Sequence, residues 1–138
     1  MDHVSRRQFI GNSFRTTAGL ALGAAAMNVT SGRVRGANER VQMALIGCGS
    51  RGRIVARGFI ECGAVFTHVC DLHPGRRQEK AKEFADVQGR KPQMVGHIKE
   101  VLDSKDVDAV LVTTPDHWHG PATILACQAG KDVYVEKP

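Results

Sequence analysis

The sequence predicts an α/β fold in which a doubly wound parallel sheet carries helices on both faces. Short apolar runs typical of buried strands alternate along the chain with longer stretches that have helical spacing. The first run, residues 41–46, leads directly into Gly47-x-Gly49-x-x-Gly52. A helical stretch and a second apolar run follow it. Right-handed crossovers between such strands predict the sheet order 3-2-1-4-5.

Five strands and four helices are predicted in the body of the chain, residues 37–138. Pro74 is well placed to begin a helix, and Gly130 is well placed just past the end of one. The predicted strands are 41–46, 64–70, 93–95, 107–114 and 133–135. The predicted helices are 51–62, 74–87, 98–103 and 122–129.

The glycine-rich turn after the first strand predicts a site for a dinucleotide. Gly47 permits a tight turn, Gly49 lets the backbone approach a pyrophosphate, and Gly52 lets the next helix pack on the strand. Free N–H groups at the start of that helix favour an anion. The pattern is typical of a Rossmann-type domain. The predicted cofactor-binding residues of the turn are Gly47, Cys48, Gly49, Ser50, Arg51 and Gly52.

Asp71 ends the second predicted strand, 19 residues beyond Gly52. A carboxylate there accepts hydrogen bonds from the adenosine ribose hydroxyls and repels a 2′-phosphate, which favours NAD over NADP. His73, Arg76 and Arg77 follow closely, so NADP stays open as the less favoured cofactor. The alternative is that Asp71 only caps the turn or the next helix.

Residues 1–36 are predicted to be a twin-arginine-type signal peptide. Arg6 and Arg7 precede a weakly apolar run, residues 16–29, which is shorter than the ~20 residues that a membrane span needs. Gly11 stands where the export motif usually has Lys. An amphipathic N-terminal helix is the alternative. The prediction implies export of a folded protein to the periplasm by the twin-arginine machinery, and no integral membrane segment.

The charge distribution argues against a nucleic-acid-binding protein, and the spacing of cysteine and histidine argues against a metal-binding protein. Residues 1–36 hold five of the 19 Lys and Arg and one of the 14 Asp and Glu, so the body carries only +1 and predicts no nucleic-acid partner. The four cysteines lack metal-site spacing and are predicted to be small buried residues. His117 and His119 have no third ligand nearby in sequence, so no metal site is predicted.

Residues 40–138 resemble the N-terminal part of the Gfo/Idh/MocA oxidoreductases, relatives of glucose–fructose oxidoreductase and inositol dehydrogenase. The last of its motifs is the most specific. The motifs that carry the resemblance are Gly47-Cys48-Gly49-Ser50-Arg51-Gly52, Asp71, Thr114-Pro115-Asp116-His117-Trp118-His119 and Gly130-Lys131-Asp132-Val133-Tyr134-Val135-Glu136-Lys137-Pro138.

The resemblance implies roles for residues near the nicotinamide. Lys137 would be the catalytic residue, beside the nicotinamide and the substrate hydroxyl, where its ammonium assists proton transfer. Glu136 would support the nicotinamide end or orient Lys137. The family often has Asn where Asp116 stands, and packing at a helix start is the alternative role for His119. The further cofactor-binding residues implied are Thr114, Pro115, Asp116, His119, Glu136 and Lys137.

Three functions follow from the resemblance. The first is an exported NAD-dependent oxidoreductase that acts on a sugar, polyol or related hydroxyl compound. The second is a glycosidase of the same family that uses NAD transiently, and the third is a non-catalytic dinucleotide-binding fragment. The resemblance implies a second, α+β substrate domain and a sixth strand of the cofactor domain, which we expect to lie outside these 138 residues. We therefore expect an incomplete sheet and little or no catalysis by this chain alone, and a homo-oligomer for the full-length form.

Overall fold

The computed structural model describes residues 40–138, so the predicted signal peptide lies outside the described residues. The described part has five strands, four α-helices and one 3₁₀ turn, and none of its helices is long and apolar enough to cross a membrane. The strands are β1 (Gln42–Ile46), β2 (Val65–Cys70), β3 (Gln93–Val95), β4 (Ala109–Val112) and β5 (Asp132–Val135). The helices are α1 (Ser50–Glu61), α2 (Pro74–Gln88), α3 (Ile98–Leu102) and α4 (His119–Gln128), with the 3₁₀ turn at Asp116–Trp118.

The strands form one parallel sheet in the order β3-β2-β1-β4-β5, which confirms the predicted fold class and order. β1 pairs with β2 on one side and with β4 on the other. The direction of chain progression reverses between β1 and β4, and ligands bind at such a switch point in open α/β sheets. Because all pairs are parallel, the loops that follow β1, β2, β4 and β5 meet at one carboxyl edge.

The central strand is buried on both faces. Met43 and Leu45 of β1 belong to a core cluster that includes side chains of α1 and α2. Ala44 and Ile46 belong to a second cluster that includes side chains of α3 and α4. A strand covered by helices on both sides needs apolar residues at successive positions. This explains why the first run is continuous in sequence rather than alternating.

β2 contains a bulge that the sequence did not reveal. The pairing of β2 with β1 skips Thr67, whose hydroxyl donates to the carbonyl of Met43 at 3.3 Å. The side-chain amide of Gln88 accepts a hydrogen bond from the Phe66 N–H at 3.0 Å and donates to the Phe66 carbonyl at 2.7 Å. The polar groups near the bulge are therefore paired although the ladder is interrupted.

Two predicted boundaries at the carboxyl edge were wrong. β4 ends at Val112 rather than Thr114, because its partner β1 also ends there and the chain turns away. α4 begins at His119 rather than Ala122, following the 3₁₀ turn. Pro121 lies in the first turn of α4, where a backbone N–H is not needed. The early start brings His119 close to the end of β4.

The cysteines divide into two pairs, so the prediction that they are buried holds for only half of them. Cys48 and Cys70 are buried, whereas Cys62 and Cys127 are exposed. Cys62 follows the last residue of α1. Cys127 lies in α4, which is apolar at most positions, so the sequence pattern does not indicate which face is buried.

The first lysine of the C-terminal motif has a structural contact. Lys131 precedes β5, and its Nζ donates to the carbonyls of Ser104 at 2.6 Å and Val107 at 2.9 Å. Partial burial lowers the pKa of Lys131. The side chain thus ties the start of the edge strand to the loop between α3 and β4.

The buried side chain of His68 should make the stability of the fold depend on pH. It is 6% exposed in β2, and its Nδ1 lies 2.9 Å from the Thr67 hydroxyl. Burial lowers the pKa of His68 below its ordinary value of 6.5, although Asp106 acts in the opposite direction. The unfolded chain therefore takes up this proton more readily. The resulting stability is complete above about pH 6.5 and is lost as the pH falls through the folded-state pKa.

We expect the free energy of unfolding, measured by urea titration, to fall between pH 7 and pH 5 in the wild type. The His68→Gln variant should lack this part of the decrease. His117→Gln removes an exposed histidine and should keep it. An identical pH profile for wild type and His68→Gln would contradict the prediction.

Candidate functional site at the carboxyl edge

The glycine turn is fixed by close backbone contacts. Gly47 has φ +93°, a conformation that favours glycine, and its N–H donates to the Cys70 carbonyl at 2.8 Å. A Cβ at Gly47 would lie 2.7 Å from the Thr113 carbonyl oxygen. A Cβ at Gly52 would lie 2.5 Å from the Gly47 carbonyl oxygen. These two positions require glycine because neighbouring backbone occupies the space of a side chain.

Gly49 differs from the other two glycines because the space beside it is open. A Cβ built there meets no atom within 4 Å. Gly49 is the N-cap of α1 and makes no side-chain cap, and the first turn of α1 has no acidic residue. The N–H groups at this end can therefore bind an anion that approaches Gly49. The turn fits a pyrophosphate in the way that the glycine spacing predicts.

The Cys48 side chain faces the core rather than the open side of the turn. Its thiol is 3.6 Å from the Cys70 carbonyl oxygen. Burial, together with the nearby Asp71 carboxylate, raises the pKa of the Cys48 thiol to about 12. Only the backbone of Cys48 is thus available to the site, and a nucleophilic role for its sulfur is not expected.

Asp71 connects the glycine turn with the loop after β2. Its Oδ2 accepts a hydrogen bond from the Cys48 N–H at 2.8 Å, and its Oδ1 accepts one from the His73 N–H at 2.8 Å. Each carboxylate oxygen keeps a second acceptor position, which suits a ribose hydroxyl. Asp71 therefore caps the turn, as the alternative prediction stated, and its remaining acceptor positions still allow it to bind a ribose.

The basic residues after Asp71 differ in their contacts. The Arg77 guanidinium donates to the backbone carbonyls of Asp71 and Leu72. Arg76 is exposed, and its N–H donates to His73 Nδ1 at 3.4 Å. Arg77 thus stabilises the loop backbone through its Nη1 atom.

The residue that follows β4, Thr113, stabilises the glycine turn from the other side of the switch point. The Thr113 hydroxyl donates to the Gly47 carbonyl at 2.7 Å. The sequence places Thr113 in the turn at this edge but gives it no role, because its partner lies 66 residues away and no local pattern links the two. A glycine turn that requires a small hydrogen-bonding neighbour is the one signal that could have indicated it.

His119 contacts the turn that the resemblance assigns to the nicotinamide side. Its Nε2 donates to the Thr114 carbonyl at 2.8 Å, which holds the backbone just before Pro115 and Asp116. Within residues 40–138, neither His119 Nδ1 nor the Thr114 hydroxyl has a hydrogen-bond partner, and both atoms are buried. The packing alternative for His119 is thus observed, while cofactor contact by these residues stays a prediction.

Glu136 and Lys137 follow β5 at the same edge. The Arg51 guanidinium donates two hydrogen bonds to Glu136, from Nε to Oε2 at 2.8 Å and from Nη2 to Oε1 at 2.9 Å. Hydrogen bonding to Arg51 lowers the pKa of Glu136, and the same bond raises that of Arg51. The backbone N–H of Lys137 donates to Glu136 Oε1 at 3.4 Å. The Lys137 side chain itself is exposed.

The loops of four strands thus meet around the switch point, as the sequence predicted. A family model for oxidoreductases with an NAD-binding Rossmann fold, GFO_IDH_MocA, matches residues 41–138. This range holds the whole sheet and its carboxyl edge. The chain belongs to the Gfo/Idh/MocA family. The matched range is the NAD-binding Rossmann fold of this family, and it includes the carboxyl edge described above.

Relatives of this Gfo/Idh/MocA chain include both hydrolases and dehydrogenases. It is 27% identical over 157 residues to an α-N-acetylgalactosaminidase of Shewanella oneidensis, a match that covers 100% of this chain and 34% of that protein. Myo-inositol 2-dehydrogenase of Lactobacillus plantarum has a TM-score of 0.64 at 25% identity, with 72% and 29% of the two chains covered. The WlbA dehydrogenase of Chromobacterium violaceum, solved with NADH and UDP-GlcNAcA, has a TM-score of 0.62 at 25% identity, with 74% and 28% covered.

Proposed function

We propose that this chain is the cofactor-binding part of an exported oxidoreductase that transfers hydride between NAD and a sugar, polyol or related hydroxyl compound. The observation that carries the proposal is the position of Lys137 at the NAD-binding edge, next to Glu136, which Arg51 of the glycine turn holds by two hydrogen bonds. The chain spans 34% of the length of the hydrolase relatives that it matches, so the reaction is proposed for a protein that also provides a substrate site.

The residues of the edge divide into two groups in this proposal. The glycine turn and Asp71 bind the pyrophosphate and the adenosine ribose. Thr114, Pro115, Asp116 and His119 form the surface under the nicotinamide ribose. Bound NAD supplies the hydride acceptor or donor. Lys137 would hydrogen-bond the substrate hydroxyl, accept its proton as the neutral amine when the alcohol is oxidised, and return that proton from the ammonium when the carbonyl is reduced.

If Lys137 has this role, replacing it should lower turnover and leave the affinity for the cofactor nearly unchanged. In protein that carries a substrate site, Lys137→Met should lower kcat by about 10²–10⁴-fold, because an acid–base group is removed. NADH affinity, measured by fluorescence titration, should change little. Lys105→Met removes another exposed lysine, in the loop before β4, and should leave kcat unchanged. An unchanged kcat in Lys137→Met would contradict the assignment.

A transient use of NAD in glycoside cleavage is the second candidate. It is favoured because the α-N-acetylgalactosaminidase of Shewanella oneidensis aligns with the whole of this chain. Product analysis separates the candidates. A dehydrogenase accumulates NADH in proportion to oxidised sugar, whereas a hydrolase releases sugar from a glycoside without net NADH. The 138-residue chain alone is expected to bind NADH and to show neither reaction.

We also propose that residues 1–36 direct export through the twin-arginine pathway, where the folded chain would carry its cofactor, and that the longer protein forms a homo-oligomer. The Arg6-Arg7 pair and the short apolar run after it support the export proposal. Replacing both arginines with lysine should retain the protein in the cytoplasmic fraction. Arg15→Lys is the matched control, and equal fractionation of all three forms would contradict export by this route.

A further inference from the structure

The ion pair between Arg51 and Glu136 spans the switch point. Arg51 lies in the first turn of α1, which follows β1, and Glu136 directly follows β5. β4 lies between these two strands in the sheet. The pair therefore passes across the carboxyl end of β4, where a nucleotide bound between β1 and β4 has to extend. A dinucleotide bound there would therefore lie beside the ion pair.

The two side chains differ in exposure, and this difference makes the pair easy to open from the Arg51 side. The Arg51 side chain is 56% exposed and that of Glu136 is 13% exposed. A pyrophosphate carries more negative charge than one carboxylate, and the N–H groups at the start of α1 favour it further. Arg51 therefore gains a stronger partner when a diphosphate binds beside Gly49.

We propose that the Arg51–Glu136 pair is a latch that a bound dinucleotide opens. The pyrophosphate binds the Arg51 guanidinium in place of Glu136, and the released carboxylate keeps the backbone N–H of Lys137 as a donor, at 3.4 Å in the free chain. The inference rests on the proposed NAD-binding function. Glu136 is held by Arg51 in the free chain and is released once the phosphates are bound.

If the ion pair acts as a latch, removing the Glu136 carboxylate should increase the affinity for a diphosphate. Glu136→Gln frees Arg51, so the dissociation constant for ADP, the diphosphate half of the cofactor, should fall about two- to fivefold, the range of an exposed ion pair. Arg51→Gln should raise it about tenfold, because a charge-assisted bond to phosphate is lost. In the Arg51→Gln background, adding Glu136→Gln should have no further effect.

The experiment is calorimetric titration of the 138-residue chain and these variants with ADP. Arg51→Lys keeps the charge without the two-pronged geometry and should restore part of the lost affinity. Asp103→Asn is the matched control, since it removes the exposed ion pair between Lys99 of α3 and Asp103, which follows that helix, and should leave ADP binding unchanged.

Three results overturn the latch. They are equal ADP affinity of wild type and Glu136→Gln, weaker binding by Glu136→Gln, and an effect of Glu136→Gln that persists without Arg51. In each of these cases the wild type still binds ADP and the proposed NAD-binding function stands. A wild-type chain that is folded by circular dichroism but binds neither ADP nor NADH overturns the proposed function, and the latch with it.

Discussion

Replacing Gly52 with alanine is expected to lower the free energy of unfolding by about 2–4 kcal/mol, the cost of forcing extra volume into a packed site. The new Cβ would lie 2.5 Å from the Gly47 carbonyl oxygen and 2.7 Å from Thr113 Oγ1. These two oxygens already share a 2.7 Å hydrogen bond, so neither can move without breaking it. α1 must therefore shift away from β1. Urea unfolding followed by circular dichroism measures the effect.

Gly58 provides the control in the same helix. It is exposed, and a Cβ there meets no atom within 4 Å. Gly58→Ala should raise the free energy of unfolding by about 0.5–1 kcal/mol, because alanine favours the helix. The two substitutions add the same methyl group with opposite expected signs. Equal unfolding midpoints for the two variants would show that the close approach of α1 to β1 does not limit stability.

Gly49→Ala is expected to weaken cofactor binding strongly while leaving the fold intact. The backbone of Gly49, at φ −73° and ψ −174°, is open to alanine, and nothing lies within 4 Å of the added methyl. The methyl instead occupies the space through which the pyrophosphate approaches. The dissociation constant for NADH should rise about 5- to 150-fold, since overpacking costs about 1–3 kcal/mol. NADH fluorescence titration measures the loss.

Ser50→Ala is the comparison for this experiment. Ser50 is exposed at the first position of α1, and the substitution removes a hydroxyl without adding volume while it keeps the backbone N–H through which Ser50 is predicted to bind the phosphates. Its NADH affinity should stay within a few-fold of the wild type, and the urea midpoints of both variants should match the wild type. Normal NADH binding by Gly49→Ala would mean that the phosphates do not pass over this residue.

The fold was predictable because its signals are local. Continuous apolar runs such as residues 41–46 indicate strands buried on both faces, and their alternation with helices fixes the parallel order. The boundaries at Val112 and His119 were missed by two or three residues, because the end of pairing and the 3₁₀ turn depend on tertiary contacts. The bulge at Thr67 left no sequence signal either.

Sequence spacing predicted which residues form the site, but it did not predict which of them contact each other. The glycine turn and Asp71 follow from short distances along the chain. The pairing of Arg51 with Glu136 joins residues 85 positions apart, and only the folded sheet brings them together. Composition and spacing therefore indicated which residues reach the carboxyl edge, while their partners had to come from the structure.

The hydrogen bond from the Cys48 N–H to Asp71 has a consequence for changing cofactor preference. The obvious route from NAD to NADP is to replace this acid by a small or neutral residue. Because the same carboxylate holds the glycine turn at 2.8 Å, that replacement also removes an anchor of the pyrophosphate site. Such a variant should bind both dinucleotides more weakly. A design that keeps an acceptor for the Cys48 N–H, such as an asparagine oxygen, and adds a cation near Arg76 is the better starting point.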